Sequence, residues 1–216
     1  MHIKIAITGK MRAGKDTVYS ILKEELELEL NNFNNYTDGV FITKQHTFGG
    51  QLKYFAELLF PEHFVAGGKP RQLFQEFGQS MRQIDEDVWV KKVDQEIQNK
   101  LKSTHADIHI SFITDLRQPN EYEYCRENGF FILRVNATDE VRLARMMADG
   151  DNFTKEHLHH ETETYVDGYE VDYDINNNFT TQNGLEELRK EVKQLVKIIL
   201  EENNNSENEK KKGFFK

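Results

Sequence analysis

The chain is 216 residues long, with 38% hydrophobic and 30% charged residues and a formal net charge of −9. That length supports one domain with a sizeable core, and the acidic balance disfavours broad non-specific attachment to nucleic acid. The single cysteine excludes an intramolecular disulfide and fits a reducing compartment, and no apolar run approaches the ~18 residues that a membrane span needs.

His2 to Thr8 (HIKIAIT) reads as a short strand rich in β-branched residues. This apolar start is too short for a secretory signal, so a soluble, cytoplasmic protein is expected. The strand runs into Gly9-Lys10-Met11-Arg12-Ala13-Gly14-Lys15-Asp16-Thr17, a G-x-x-x-x-G-K phosphate loop. Gly9 and Gly14 let the backbone curl so that successive N–H groups face one anion. The helix near 14–30 points its positive end at the same spot. Lys15 adds a mobile charge. Asp16 stands where such loops carry Ser or Thr, and the hydroxyl comes one place later at Thr17.

Asn31 to Gly39 reads as a polar loop, Val40 to Phe48 as a second strand and Gln51 to Leu59 as a helix ending before Pro61. Residues 61–70, with Gly67, Gly68 and Pro70, mark a break. Helical patterns follow over 71–83 and 85–103, then a buried strand over Ile108 to Thr114. Pro119 suits a helix start. Phe130 to Val135 is a further strand, and Thr138 caps a helix to about 148. Tyr173 to Asn176 makes a last strand, and Leu185 to Leu200 an amphipathic final helix.

Strands alternating with helices imply a mostly parallel sheet with helices on both faces. The expected organisation is a single domain over 1–202, with its core in about 1–48 and 106–202. A helical substrate-binding region is inserted at about 49–105, a lid covers about 146–172, and a flexible, low-complexity tail occupies 203–216.

Several constellations can carry chemistry. Asp115 ends an apolar strand, with Arg117, Asn120 and Glu121 in the adjoining turn. Ligands of open α/β sheets bind at such strand ends. A carboxylate there can hold magnesium through water or orient a hydroxyl, and it can equally cap a helix. Arg71, Gln75, Gly78 and Arg82 share one helix face. They could clamp a phosphate beside a base, or form a solvated basic face with Leu73, Phe74 and Phe77 as the core stripe. Trp89 is a core, interface or base-stacking residue. Arg142 and Arg145, one helical turn apart, can neutralise a phosphoryl group or lie exposed. His157, His159 and His160 are badly spaced for a zinc site, and an acidic lid suits them better. Cys125 carries no nucleophile signature.

In this order, these stretches resemble the deoxynucleoside monophosphate kinases of bacteriophages and their bacterial relatives, within the adenylate-kinase-like P-loop kinases. The matching residues are Gly14-Lys15-Asp16-Thr17, Leu52-Lys53-x-Phe55-Ala56, the Arg71 to Arg82 pattern with Trp89, and Asp115-x-Arg117-x-x-Asn120-Glu121. His160-Glu161 and Ile175-x-Asn177 match less specifically, and the likeness spans residues 1 to about 180. It implies a P-loop NTPase fold, three-layer α/β/α around a mostly parallel five-stranded sheet. The activity it implies is transfer of the ATP γ-phosphoryl group to a (deoxy)nucleoside monophosphate with Mg²⁺. On that likeness Lys10, Arg12, Ala13, Gly14, Lys15, Asp16 and Thr17 would bind ATP. Lys53, Arg71 and Arg82 would fix the monophosphate, with Gly78 and Asp115 beside it. Gln75 and Trp89 are candidates for the base, and Arg117 and Glu121 for phosphate or sugar. Lys15, Arg117, Arg142 and Arg145 would serve the transfer itself. Asp16, Thr17 and Asp115 would face the Mg²⁺, directly or through water. No membrane or nucleic-acid partner is expected, and a homodimer is left open. Unlike common nucleotide-kinase lids, the segment 149–172 holds no arginine. Two other readings stay open: a P-loop kinase of the dephospho-coenzyme A or phosphomevalonate type, and a non-enzymatic nucleotide-dependent binding module.

Overall fold

Ile3, Ile5 and Ile7 alternate with Ala6 along the first strand, and all four are fully buried. Successive strand residues point to opposite faces, so this strand feeds two apolar layers and belongs in the middle of a covered sheet. The computed structural model, which describes residues 1–34, 39–64, 70–148, 161–179 and 182–213, places it there. In chain order the elements are β1 (His2–Thr8), α1 (Lys15–Asn34), β2 (Phe41–His46), α2 (Phe48–Leu59), a short 3₁₀ turn (Pro61–Phe64), α3 (Arg71–Ile84), α4 (Val88–Ser103) and β3 (Ile108–Leu116). There follow α5 (Pro119–Glu127), β4 (Phe131–Asn136), α6 (Asp139–Ala148), α7 (Glu161–Gly168), β5 (Tyr173–Asn176) and α8 (Gln182–Gly213).

The five strands stand in the order β2-β3-β1-β4-β5, and every pairing is parallel. The chain moves to one side of β1 for β2 and β3 and to the other for β4 and β5. The carboxyl end of β1 is therefore the point where the winding reverses, the usual ligand crevice of such sheets. One face of the sheet packs against α1 and α8 through Leu22, Leu26, Phe112, Leu133, Val192 and Leu195. The other packs against α2, α4 and α5 through Leu52, Trp89, Val93, Ile113, Cys125 and Ile132. The result is the expected three-layer α/β/α arrangement. Burial pushes the Cys125 thiol up, which suits its inert reading.

Several element ends differ from the sequence reading. Helix α1 continues to Asn34, into the stretch read as a loop. Helix α2 begins at Phe48 rather than Gln51, because Thr47 caps it: its Oγ1 accepts the Gly50 N–H at 3.1 Å. Strand β3 runs on to Leu116, past the Thr114 limit of the apolar run, and Asp115 stands near its end as read. The expected break after residue 202 is absent. Helix α8 continues to Gly213, since no Gly or Pro interrupts it after Gly184 and Glu and Lys sustain a helix. Gly67, Gly68 and residues 149–160 of the expected lid, including the three histidines, lie outside the described residues.

Leu195, with no exposed surface between α8 and the sheet, tests this packing. Leu195→Ala is expected to cost about 2–5 kcal/mol in urea unfolding; a loss below about 1 kcal/mol would mean that α8 is not part of the core.

Candidate active site

Strand β1 delivers the loop 9–15 to the middle of the carboxyl edge. Gly9 (φ +146°) and Gly14 (φ +91°) adopt backbone that only glycine takes freely. A Cβ on Gly14 would fall 2.1 Å from Asn177 Nδ2, and one on Gly9 2.5 Å from the Val135 carbonyl. Arg12 also takes a positive φ, +63°.

Three side chains grip the outside of the loop. Arg142 Nε donates to the Met11 carbonyl at 2.8 Å. Arg145 NH1 donates to the Arg12 and Ala13 carbonyls, both at 3.1 Å. Asn177 Nδ2 donates to the Ala13 carbonyl at 2.9 Å. In a planar trans peptide the carbonyl and the following N–H point opposite ways. Holding the carbonyls of residues 11 to 13 outward therefore turns the following N–H groups to the inside of the loop, and those of Arg12 and Gly14 make the geometry of an anion cradle. The Ala13 N–H closes a turn on the Lys10 carbonyl at 3.2 Å. The Lys15 ammonium lies inside the loop, donating to the Gly9 carbonyl at 2.7 Å and the Lys10 carbonyl at 3.0 Å.

A cavity of about 980 Å³ opens in front of this loop. Arg12, Gly14, Lys15, Asp16 and Thr17 line one wall, with Arg145 and Asn177 beside them. Gln45, Thr47, Gly50, Lys53, Thr114, Asp115 and Arg117 line the other. On that second wall the Asp115 carboxylate accepts the Phe48 N–H at 2.9 Å and the Gly49 N–H at 2.8 Å, capping α2. Burial raises its pKa, while those N–H groups and the charges of Arg117 and Lys53 pull it down. Gln45 Nε2 donates to Thr114 Oγ1 at 2.8 Å.

Several candidates from the sequence fall elsewhere. Arg142 is 1% exposed and does not line the cavity; its guanidinium is spent on Met11 and on Asp139 at 2.7 Å, so it braces the loop. Ala13 is buried and contributes backbone alone. Lys10 turns away to pair with Asp167 at 2.7 Å. Glu121 is a buried cap: its Oε2 accepts the N–H groups of Arg117 and Gln118, each at 3.0 Å. Trp89 sits in the core at 5.8 Å from the Phe77 ring, with its indole N–H unpartnered among the described residues. Gly78 opens no room for a base, because Leu52 fills that space. Gln75 is exposed, and Arg82 lies near Gly78 and Glu121, off the cavity wall. Arg71 opens α3, and its side chain lies outside the described residues. Gln45, Thr47, Thr114 and Asn177 were missed as site residues, although each sits at or just beyond a strand's carboxyl end, where the sheet rule places ligands.

Asp16, Thr17 and Asp115 put oxygen donors on one cavity. Among the described residues no group of three or more His, Cys, Asp or Glu could hold a metal. That sparse, oxygen-only set fits a magnesium ion that keeps waters and is shared with phosphates. Among the described residues no helix is long and apolar enough to cross a membrane.

Residues 5–166 match the AAA domain family. The chain belongs to that family. Its phosphate loop and parallel sheet are accordingly those of the P-loop NTPase fold. No curated protein matches the sequence. Among solved structures, TT1252 from Thermus thermophilus is similar at 19% identity over 88% of this chain and 95% of its own, with a TM-score of 0.47. Shikimate kinase from Bacteroides thetaiotaomicron is similar at 14% identity over 90% and 98%, with a TM-score of 0.43. A sugar kinase from a Janibacter species is similar at 13% identity over 88% and 90%, with a TM-score of 0.46. These likenesses are too loose to assign a substrate.

Glu121 gives the site a pH signature. Burial, opposed mainly by the Gln118 N–H, raises its carboxyl from 4.5 to about 7. Between pH 4.5 and about 7 the unfolded chain has released this proton while the folded chain still holds it, so stability falls as pH rises through that window. Urea unfolding at a series of pH values should show wild type losing stability relative to Glu121→Gln across this range and holding level above it. A pH-independent difference would contradict the raised value.

Proposed function

We propose that the chain is an ATP-dependent kinase whose acceptor is a small phosphorylated molecule, a (deoxy)nucleoside monophosphate in the first instance. The observation that carries this reading is the arrangement of charge in one cavity. The phosphate loop with Lys15 and Arg12 lines one wall, and Lys53 and Arg117 flank Asp115 on the other. A nucleotide switch needs the first wall alone. Two cationic walls facing one space suit a donor and an acceptor phosphate brought end to end.

Phosphoryl transfer asks little covalent chemistry of a protein; positioning and charge neutralisation carry it. The inward N–H groups of the loop bind the donor's phosphates. The Lys15 ammonium, next to the Gly9 and Lys10 carbonyls, has a flexible stem long enough to reach the β and γ phosphates. Asp16, Thr17 and Asp115 would hold a magnesium ion, directly or through water, and the ion would supply charge neutralisation on the phosphates. Arg117 and Lys53 hold the acceptor's phosphate, and Arg12 and Arg145 add positive charge beside the transferring group. The Asp115 carboxylate is spent on capping α2, so no general base is assigned.

Trp89 and Gln75 lie off the cavity, which leaves base recognition without an assigned residue. That favours a second reading in which the acceptor is another phosphorylated metabolite, of the dephospho-coenzyme A or phosphomevalonate type. One experiment covers both: ADP release from ATP and Mg²⁺ with a panel of ribo- and deoxyribonucleoside monophosphates and these two metabolites. Turnover is expected with at least one monophosphate. Lys53→Ala should then raise that acceptor's KM about tenfold or more with ADP affinity unchanged, a loss of one charge-assisted contact. A silent panel would sink the kinase reading, and activity on a metabolite alone would decide for the second.

A further inference from the structure

Arg117 is held from both sides at its backbone. Its N–H donates to Glu121 Oε2 at 3.0 Å. Its carbonyl accepts the hydroxyl of Tyr169 at 2.9 Å, from the segment that follows α7. Pinning both polar groups of one residue fixes its φ and ψ, and with them the direction in which its side chain leaves the backbone. For Arg117 that direction is the cavity wall.

Tyr169 is itself built in. Its ring stacks on Tyr122 of α5, with centroids 4.3 Å apart and planes 3° from parallel. Tyr122 donates to the Glu170 carbonyl at 2.9 Å, and Arg126 donates to the same carbonyl at 2.9 Å. The Tyr169 carbonyl accepts Arg134 NH1 at 3.1 Å, and the same nitrogen reaches the Val166 and Asp167 carbonyls at 3.3 Å. Burial pushes the Tyr169 phenol up, so it stays a donor at neutral pH. Two residues earlier, Asp167 pairs with Lys10 of the phosphate loop at 2.7 Å. One short segment thus touches the donor loop and the acceptor wall together.

We propose that Tyr169 is a positioning residue for Arg117: its hydroxyl, held rigid by the stack on Tyr122, aims the Arg117 guanidinium at the acceptor's phosphate. The inference rests on the kinase reading above and deepens it. Tyr169 touches no substrate and acts through Arg117 alone.

Tyr169→Phe removes the hydroxyl and keeps the stacked ring. The acceptor KM is expected to rise about fivefold, the size of one net hydrogen bond, with ADP affinity and the melting temperature nearly unchanged. In an Arg117→Ala background the same substitution should have no further effect on KM. The Arg117 side-chain Nε–Hε resonance, assigned by its absence in Arg117→Lys, should shift in Tyr169→Phe. An unmoved resonance, or a KM effect that persists without Arg117, would overturn the proposal. A fall in stability and ADP affinity together would reduce Tyr169 to a scaffold residue and overturn it equally. Should the wild type use no monophosphate, the kinase reading fails on its own, and the resonance still decides for or against Tyr169.

Discussion

Everything in this site depends on the grip that Arg142, Arg145 and Asn177 keep on three consecutive carbonyls of the phosphate loop. A loop of this kind gathers like-oriented N–H dipoles around one point, an arrangement that repels itself until an anion arrives. Charged and amide donors on the outer rim offset that cost by satisfying the carbonyls the curl turns outward. The grip also ties distant parts of the chain together. Arg142 and Arg145 come from α6 and Asn177 from just after β5, so the loop is completed only when the far edge of the sheet has paired. Burial lowers the pKa of Arg145, and since an arginine guanidinium stays protonated in proteins it serves as a charged donor.

The facing wall follows the same economy. Two carboxylates that the sequence offers as metal or substrate contacts are spent on backbone. Asp115 caps α2 through Phe48 and Gly49, and Glu121 closes the turn that carries Arg117. Each fixes an element that bears a cation, Lys53 on α2 and Arg117 on the turn. The acids therefore shape the cavity and the bases face it, which suits an anionic ligand. The loop contributes at one further point. Arg12 sits at φ +63°, where a glycine would rest unstrained, and its side chain lines the cavity. A non-glycine residue kept in such a conformation marks a place where side-chain chemistry outweighs backbone comfort.

Much of the fold was legible in the sequence because it rests on local periodicity. The alternation in HIKIAIT, the apolar run at Ile108–Thr114 and the glycines of the loop each announce their element without tertiary information. One boundary that slipped is also held by a distant partner: besides the Thr47 cap, Asp115, 67 positions from Phe48, accepts the first N–H of α2. The site was half legible. Lys15, Lys53, Asp115 and Arg117 reach the cavity, since a motif or a strand end placed them there. Arg142 and Arg145 share a spacing yet divide into a buried brace and a cavity-lining donor, and spacing alone does not tell which side of a helix meets the loop. Trp89, open between core and base-stacking on sequence alone, and Glu121 were candidate substrate contacts on the family resemblance. Burial in the layer under α2, and a capping geometry visible only in three dimensions, put them to structural use instead.

The central claim is that the anion cradle is shaped by the side chains that hold its carbonyls from behind. Arg142 is the sharpest case, being buried beneath the loop and off the cavity wall. The most direct measurement is calorimetric titration of Arg142→Met with ADP, alongside circular dichroism to show the fold intact. The account expects ADP affinity to fall about tenfold or more, the worth of one charge-assisted hydrogen bond to a carbonyl. Wild-type affinity in a folded Arg142→Met protein would contradict it.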